Sequence, residues 1–414
     1  MAIKMPTLKK TRGPNRLPFT YLDNGSTTCP KPEIVYQYMS SFYRCYGVNP
    51  GRSKGHAFER AEQLLDQTRR RLTDFFNGQD HLRLIFTYNV TDALNMIING
   101  IVKTGDHVIT SHVEHNAVIR PLNHLARKIS IDVDWVPLDK RGFIDPADIK
   151  KRIRNNTKLV IINHGSNVIG TIQPIAEIGR ICARTGVIFA IDAAQTAGVV
   201  PIDMKKNHID IVAFTGHKSL LGPMGIGGMQ ISSRVDIEAT RFGGTGILSE
   251  LPYQPEKFPN YLESGTPNMI GVAGLFAAQE YLKQRGIDAI YRHEMRLAKK
   301  LHDGLQKIKG ITLYNEPRLD THVGMISFNL EGKKAGEVGA ILSEKFDIYS
   351  RPGLHCAPLV HRHLGTIQGG TVRLSIGPFN TAAEIDKTIH AVCEIARMKS
   401  DGTTQSISCF RVPR

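Results

Sequence analysis

Short apolar segments alternate with amphipathic helical segments between about residues 84 and 240, and this alternation restricts the possible folds more than any other feature of the sequence. Six of these segments are predicted strands: residues 82–88, 106–111, 158–163, 187–192, 209–214 and 225–231. Helical patterns lie between them, for example at 91–102 and 175–186. The alternation predicts a parallel sheet with helices on both faces. In such sheets, ligands bind at the carboxyl ends of the strands.

The chain has 414 residues, which is too long for one compact core and predicts two domains. We predict a flexible basic arm at 1–17, a large domain at 18–268, a smaller α+β domain at 269–398 and a flexible tail at 399–414. No apolar run approaches the ~20 residues that span a bilayer. The first residues also lack the apolar core of a secretory signal, so we expect a cytoplasmic protein without a membrane role.

The formal net charge is +15, which could attract nucleic acid, anionic substrates or an acidic partner protein. Lysine and arginine are spread along the chain, and no known nucleic-acid-binding motif accompanies them, so we do not predict nucleic-acid binding. The six cysteines lie far apart without a CxxC pair, which argues against structural disulfides and against a metal site. One cysteine could still be chemically special, and its neighbours must identify it.

Lys218 follows a predicted strand and precedes a glycine-rich loop in TGHKSLLGPMGIGG (215–228). Such a lysine can carry pyridoxal 5'-phosphate (PLP) as a Schiff base if burial and nearby cations help its amine to lose a proton. A surface lysine in a turn is the alternative. Asp192 ends an apolar strand and could hold the protonated pyridine nitrogen of PLP, or it could cap a following helix. The two residues together indicate a PLP site more specifically than either alone.

Further polar residues could complete such a site. Gln195 could hydrogen-bond the phenolic oxygen of PLP, and His115 could stack on the ring and pass protons. A helix N-terminus binds anions through its backbone N–H groups, although a threonine there can also be a simple helix cap. The candidates for the phosphate are Asn89, Val90, Thr91, Thr215 and His217.

Eight segments in this order resemble the class V aminotransferase superfamily: LDNGSTT (22–28), NPGR (49–52), EHNAV (114–118), HGSNVIGT (164–171), DAAQTAG (192–198), TGHKSLLGP (215–223), ESGTPN (263–268) and RPGLHCAP (351–358). Within it, the likeness is greatest to cysteine desulfurases of the SUF-like group II and to selenocysteine lyases. It covers about residues 20–398. The resemblance implies the α/β fold of type I PLP-dependent transferases, with a mostly parallel seven-stranded sheet in the large domain and a smaller α+β C-terminal domain.

The resemblance also assigns roles to residues that the patterns above do not reach. Arg373 would bind the α-carboxylate of the substrate, with backbone contacts from Gly25 and Ser26. Asn167 would position both cofactor and substrate. Thr245 would reach the phosphate in a neighbouring subunit, which implies a homodimer with shared active sites.

Cys356, in RPGLHCAP, narrows the choice among PLP-dependent reactions. A desulfurase needs a thiolate that attacks the substrate sulfur and keeps it as a persulfide. Arg351 and His355 are expected to add positive charge that favours the thiolate, and Gly353 to let the loop move. A free cysteine can alternatively be a small buried apolar residue.

These features predict a PLP-dependent cysteine desulfurase that converts L-cysteine to L-alanine. Its catalytic residues would be Lys218, Cys356 and His115, and an acceptor protein would receive the sulfur. Turnover of L-selenocysteine by a selenocysteine lyase is one alternative, and an aminotransferase or C–S lyase is another. A non-enzymatic nucleic-acid-binding or partner-binding protein would leave the predicted PLP residues unexplained.

Overall fold

The computed structural model describes residues 17–51, 54–316 and 318–398. Almost all of the arm predicted at 1–17 and the whole tail predicted at 399–414 lie outside the described residues. The strands are β1 (Thr20–Tyr21), β2 (Leu84–Thr87), β3 (His107–Ser111), β4 (Asp132–Val136), β5 (Thr157–Asn163), β6 (Ile188–Asp192), β7 (Ile211–Thr215), β8 (Gly227–Ile231), β9 (Ile311–Leu313), β10 (Met325–Leu330), β11 (Ile348–Tyr349), β12 (Arg351–Gly353) and β13 (Thr371–Ser375).

The α-helices of the described ranges connect and cover these strands, and a 3-10 helix, His81–Arg83, precedes β2. They are α1 (Glu33–Tyr46), α2 (His56–Phe75), α3 (Val90–Ile101), α4 (Asn116–Lys128), α5 (Pro146–Arg152), α6 (Ile175–Thr185), α7 (Met269–Arg285), α8 (Ile287–Leu305), α9 (Ala335–Phe346), α10 (Pro358–His363) and α11 (Ala382–Arg397). None of the helices so described has the length and apolar character that crossing a membrane requires.

Seven strands form the central sheet, in the order β2-β8-β7-β6-β5-β3-β4. The pairs from β4 to β7 are parallel, whereas β8 runs antiparallel to both β7 and β2. The predicted seven-stranded, mostly parallel sheet is therefore confirmed. The six named segments supply six strands, and β4 is the seventh. It lies at the edge with most of its residues partly or fully exposed, so it lacks the apolar run that marks the central strands.

Helices pack on both faces of this sheet because successive strand residues point to opposite sides. In β5, Val160 and Ile162 contribute to one hydrophobic core, and Leu159 and Ile161 contribute to the other. The first core also contains residues of α1, α2, α6 and α7, and the second contains residues of α3 and α4. The central strands between the two cores, β6, β7 and β8, are consequently buried along their whole length.

A second, four-stranded antiparallel sheet has the order β12-β13-β10-β9 and packs with α8, α9 and α11 around its own core. The first described strand, β1, pairs in parallel with β11, and Leu22 is buried in this same core. Residues 20–22 were predicted within the large domain, but they pack against the smaller unit because Leu22 finds its apolar neighbours there. The division near residue 268 stays a prediction.

Candidate active site

A cavity of about 260 Å³ opens where β5, β6 and β7 end, at the edge of the sheet where the sequence predicts ligand binding. Its lining residues are Ser26, Asn89, Val90, Thr91, His115, Asn163, Asn167, Asp192, Ala194, Gln195, Thr215, His217 and Lys218. Most of the predicted site residues thus come together in one place. The exceptions are Gly25, Thr245, Cys356 and Arg373.

Asn163 and Ala194 also line the cavity although neither is predicted. Asn163 pairs in register with Asp192, because both residues end neighbouring parallel strands. A polar residue at the end of a buried strand is the signal that would have found Asn163. Ala194 carries no such signal, since its side chain has no polar group.

Lys218 follows β7 by one tight turn and projects into the cavity. The pKa of its amine is lowered to about 8, chiefly by burial, with Asp192 opposing the shift and the positive charges of Arg373 and Arg351 adding to it. The amine therefore loses its proton far more readily than a surface lysine does. This environment excludes the alternative of a solvated lysine in a surface turn.

Asp192 ends β6 and is 2% exposed. Its Oδ1 accepts a hydrogen bond of 2.9 Å from the N–H of Ala194, and burial raises the pKa of the carboxyl group. Residues 194–199 form turns rather than a helix, so Asp192 does not cap a helix as the alternative reading of the sequence allowed. Its neighbour Gln195 donates from Nε2 to the carbonyl of Gly25 at 2.9 Å.

His115 stands immediately before α4, and its Nδ1 accepts a hydrogen bond of 3.0 Å from the N–H of Ala117. Burial lowers the pKa of its imidazole to about 4, with Lys218 the next largest cause. The ring is therefore neutral at pH 7. Because Nδ1 accepts, the single proton resides on Nε2, and this is the atom from which His115 can donate.

The part of the cavity next to α3 is suited to an anion. Asn89 caps the helix by accepting from the N–H of Asp92, and the N–H groups of a first helical turn have no partners within the helix. The backbone of Gly227 packs directly against that of Asn89. A Cβ at position 227 would lie only 2.8 Å from the Cα of Asn89, so the position has no room for a side chain. Val90 and Thr91 begin α3 as predicted.

Three buried polar atoms that belong to lining residues have no hydrogen-bond partner anywhere in the described ranges: Oγ1 of Thr215, Nδ1 of His217 and Oδ1 of Asn167. Buried polar atoms are normally satisfied, so these three indicate a missing polar ligand. Together with the helix N-terminus, the amine of Lys218 and the carboxylate of Asp192, they fit PLP, which carries a phosphate, an aldehyde and a ring nitrogen.

Arg373 lies in β13, is 1% exposed and adjoins the cavity without lining it. Its Nη2 contacts Oδ1 of Asp23 at 2.6 Å and Oγ of Ser26 at 3.0 Å, and its Nη1 donates to the carbonyl of Asn167 at 2.8 Å. Asp23 is not among the predicted residues, although it belongs to the LDNGSTT segment. The guanidinium therefore contacts two residues that line the cavity, Ser26 and Asn167.

The segment around Gly25 approaches Arg373 closely. A Cβ on Gly25 would lie 3.2 Å from Cζ of Arg373 and 2.9 Å from Cε of Met325, so a side chain here would displace one of them. Ser26 contributes through its hydroxyl, which accepts from Nη1 of Arg351 at 2.6 Å and donates to Asp23. The sequence predicted only backbone contacts for Gly25 and Ser26.

Cys356 lies on the loop between β12 and α10 and is exposed, which excludes the role of a buried apolar residue. Its φ is +56° and that of His355 is +50°, a left-handed conformation that costs a residue other than glycine about 1–2 kcal/mol. Two hydrogen bonds attach this loop to Asn167, which lines the cavity, and to Asn116, which follows the lining residue His115. The N–H of Asn116 donates to the carbonyl of Cys356 at 2.7 Å, and Nδ2 of Asn167 donates to the carbonyl of His355 at 2.6 Å.

Two expectations about this loop need revision. His355 does not supply positive charge, because burial lowers the pKa of its imidazole to about 3 and leaves the ring neutral. Gly353 is the last residue of β12 and pairs with Thr371, so it belongs to a strand and not to a free hinge. Arg351 remains the cation nearest to Cys356 in the sequence.

Thr245 lies in the segment 242–253, apart from the PLP cavity, and its hydroxyl donates to the carbonyl of Ile247 at 3.1 Å. It lines a separate surface cavity of about 980 Å³. Its predicted contact with the phosphate of a neighbouring subunit stays a prediction.

Comparison with known proteins gives a consistent result. The model of the family Aminotransferase class-V matches residues 20–388. A protein of Methanothermobacter thermautotrophicus described as a probable cysteine desulfurase is 36% identical over 91% of this chain and 95% of its own length. A probable cysteine desulfurase of Pyrococcus abyssi is 33% identical over 91% of this chain and 94% of its own length.

Two solved structures that resemble this chain are also described as cysteine desulfurases. The apo structure of a cysteine desulfurase from Thermococcus onnurineus NA1 has a TM-score of 0.86 at 32% identity, and it covers 91% of this chain and 94% of the other. The cysteine desulfurase CsdA of Escherichia coli has a TM-score of 0.82 at 27% identity over 91% and 94% of the two chains. The predicted fold class is confirmed, and the chain belongs to the class-V aminotransferase family.

Proposed function

We propose that this protein is a PLP-dependent cysteine desulfurase that converts L-cysteine to L-alanine and retains the sulfur as a persulfide on Cys356. The observation that carries the proposal is the position of Cys356, which is exposed while a hydrogen bond from Asn167 attaches its loop to the wall of a cavity suited to PLP. The relatives in the same family that are described as cysteine desulfurases support it.

PLP, when bound, supplies an electron sink for the charge that develops on the α-carbon of the substrate. Lys218 would attach it covalently, Asp192 would hold its ring nitrogen in the protonated form, and Gln195 would contact its phenolic oxygen. Val90, Thr91 and the unsatisfied atoms of Thr215 and His217 would hold its phosphate. His115 would lie against its ring.

The substrate would be oriented by Arg373, whose guanidinium would hold the α-carboxylate while Asp23 and Ser26 keep it in place. Asn167 and the Gly25–Ser26 backbone would add polar contacts. The amine of Lys218, with its pKa near 8, would remove the α-proton and hold it. His115 would donate a proton from Nε2, the atom left free by the hydrogen bond at Nδ1.

Sulfur transfer then takes place between the two sulfur atoms. The thiolate of Cys356 attacks the sulfur of the substrate, a bond forms between the two sulfurs, and the bond between Cβ and the substrate sulfur breaks. The electron pair of that bond stays with the carbon side. The β-carbon takes up a proton, which His115 would donate, and the α-carbon regains the proton that Lys218 holds, so that L-alanine is formed. Carbon is reduced, sulfur is oxidised to the persulfide level, and no further oxidant is needed.

An acceptor protein would take the persulfide sulfur from Cys356 in the last step. The formal charge of +15 favours an acidic acceptor, because complementary charge accelerates association. The exposed position of Cys356 leaves its thiol open to such a partner.

A second copy of the chain would complete the assembly. Large apolar side chains near Thr245 are exposed, with Phe242 at 73%, Tyr253 at 82% and Tyr88 at 67%, and a surface of this kind is typical of an interface. A homodimer would cover them and would bring Thr245 towards the phosphate site of the partner.

The experiment that tests the proposal measures alanine release from L-cysteine and from L-selenocysteine in the presence of a thiol reductant. We expect Cys356→Ala to lower release from L-cysteine by about 10²-fold or more. The matched control is Cys45→Ala, which removes an exposed thiol on α1 and should leave the rate unchanged. Release from L-selenocysteine alone that survives Cys356→Ala would instead identify a selenocysteine lyase. A yellow protein that releases alanine from neither substrate would contradict the proposed substrate class.

A further inference from the structure

Behind the Cys356 loop, two buried histidines form a chain of hydrogen bonds that the proposed reaction does not use. Nε2 of His355 lies 2.8 Å from the carbonyl oxygen of Arg351, and Nδ1 of His355 lies 3.2 Å from Nε2 of His361. Nδ1 of His361 lies 2.8 Å from Oγ1 of Thr366. Neither histidine lines the PLP cavity.

The carbonyl at one end fixes the positions of all protons in the chain. The carbonyl oxygen of Arg351 can only accept, so His355 carries its proton on Nε2 and accepts at Nδ1. His361 must then donate from Nε2 and accept at Nδ1 from the hydroxyl of Thr366. Burial lowers the pKa of His355 to about 3 and that of His361 to about 4, so both rings are neutral at pH 7 and this arrangement is satisfied.

The two rings also pack against each other, with centroids 5.4 Å apart and planes inclined by 25°. His361 is completely buried and His355 is 4% exposed. The pair is therefore an ordered internal support between β12 and α10, the two elements that bound the Cys356 loop.

The loop needs such a support because of its backbone conformation. His355 and Cys356 both have positive φ angles, and residues other than glycine hold such angles only when surrounding contacts determine them. Asn116 and Asn167 hold the two carbonyl groups of this pair from the cavity side. The side chain of His355 is held from the α10 side by His361.

We propose that His361 is a positioning residue for Cys356, and that its Nε2–H, acting through His355, holds the thiol where it meets the substrate sulfur. The inference rests on the proposed function for the identity of the reaction. Its structural part concerns the conformation of the loop alone and can be tested without turnover.

The test compares His361→Leu, which removes the donor, with His361→Gln, whose side-chain N–H can take the place of Nε2–H. Hydrogen–deuterium exchange of the holoenzyme would be followed for the peptide covering residues 351–358. The kcat and KM for L-cysteine would be measured alongside. Exchange of the α-proton of L-alanine in D2O serves as an internal control, because it would need Lys218 but no thiol.

For His361→Leu we expect about tenfold faster amide exchange in residues 351–358 and about a tenfold lower kcat, the effect of losing one buried hydrogen bond. KM and the exchange of L-alanine should stay within about twofold of the wild type, because Arg373 and Lys218 are untouched. His361→Gln should restore most of both losses. Thr366→Val, which removes only the last donor, should shift both quantities in the same direction by about threefold, and it serves if His361→Leu does not fold.

Three results would overturn the inference: unchanged amide exchange in His361→Leu, a His361→Gln variant as impaired as His361→Leu, or an equal loss of L-alanine exchange. A wild-type protein that releases no alanine from L-cysteine would refute the proposed function instead. The amide exchange of the loop would still decide whether His361 supports it.

Discussion

The PLP cavity and the Cys356 loop would perform the two halves of the chemistry, and they are built in different ways. The cavity gathers residues from the ends of buried parallel strands, where the register of the sheet sets one residue against the next, as with Asn163 and Asp192. The loop is exposed, has two residues with positive φ, and is held by individual hydrogen bonds from Asn116, Asn167 and His361.

This difference matches what each half must do. Groups that act on the α-carbon of the substrate need fixed positions relative to the PLP ring, and the ends of the sheet strands provide these positions. A thiol that takes sulfur from a buried substrate and gives it to a protein must remain at the surface. The sheet would therefore determine the general chemistry of the cofactor, and the loop would determine which reaction follows.

The largest expected effect comes from removing the amine on which the cavity depends. Lys218→Ala should lower both alanine release from L-cysteine and α-proton exchange of L-alanine by about 10³-fold or more, because the base is lost from both reactions. Modification of Cys356 by iodoacetamide should proceed as in the wild type. Lys205→Ala, at an exposed position, is the control. A Lys218→Ala variant that retains either reaction would contradict the assignment of α-carbon chemistry to the cavity.

The protonation of Lys218 gives the next largest effect. With a pKa of about 8, the amine of the apoprotein is mostly protonated at pH 6, half protonated at pH 8 and mostly neutral above pH 9. The rate of covalent PLP uptake by apoprotein, followed by the visible absorbance of the attached cofactor, should therefore rise about 50-fold between pH 6 and pH 8 and then level off. A rate that continues to rise beyond pH 9 would show that the pKa of Lys218 lies in the ordinary range for a lysine.

Asn167 belongs to both regions, since it lines the cavity and donates to the loop at His355. Asn167→Ala should lower alanine release from L-cysteine by about tenfold and exchange of L-alanine by about threefold, as expected for the loss of buried hydrogen bonds. The control is Asn99→Ala. Asn99 is an exposed residue of α3, and its substitution should change neither rate. Equal losses in both reactions would mean that Asn167 serves the cavity alone.

The smallest effect is expected at Thr215, whose hydroxyl has no partner in the described part of the chain. Thr215→Val keeps the shape of the side chain and removes one hydrogen bond to a bound phosphate, so the Kd for PLP should rise up to about tenfold. The apoprotein should be as stable as the wild type or about 1 kcal/mol more stable, since an unsatisfied buried hydroxyl is removed. Denaturation with urea and titration with PLP measure the two quantities. Tighter PLP binding would exclude Thr215 from the phosphate site.

The sequence predicted the parts of the molecule that local patterns encode. Apolar runs marked the six strands that are buried or nearly so. Asp192 stood out because a carboxylate at the end of such a run is unusual, and Lys218 because it lies between a strand and a glycine-rich loop. The edge strand β4 was not named because its exposed positions interrupt the apolar pattern. His355 was wrongly expected to be a cation because its burial depends on α10 and on contacts that neighbouring residues do not reveal.

Contacts between distant segments also escaped prediction. The pairing of Asp23 with Arg373 joins the beginning of the described chain to β13, and no local pattern indicates it. The role of His361 is similar, since a histidine in a short helix carries no signal until its ring is seen against His355. Packing of this kind follows from the complete fold, which periodicity alone does not determine.

The pairing of β1 with β11 has a consequence for synthesis of the protein on the ribosome. Thr20 and Leu22 are made early, but their backbone partners Asp347, Tyr349 and Ser375 are made only after the whole central sheet has been translated. Domains tend to fold as they emerge, so the sheet from β2 to β8 can pair while the segment at Leu22 still waits for its neighbours. The nascent chain must therefore keep this apolar segment from mispairing until translation is nearly finished.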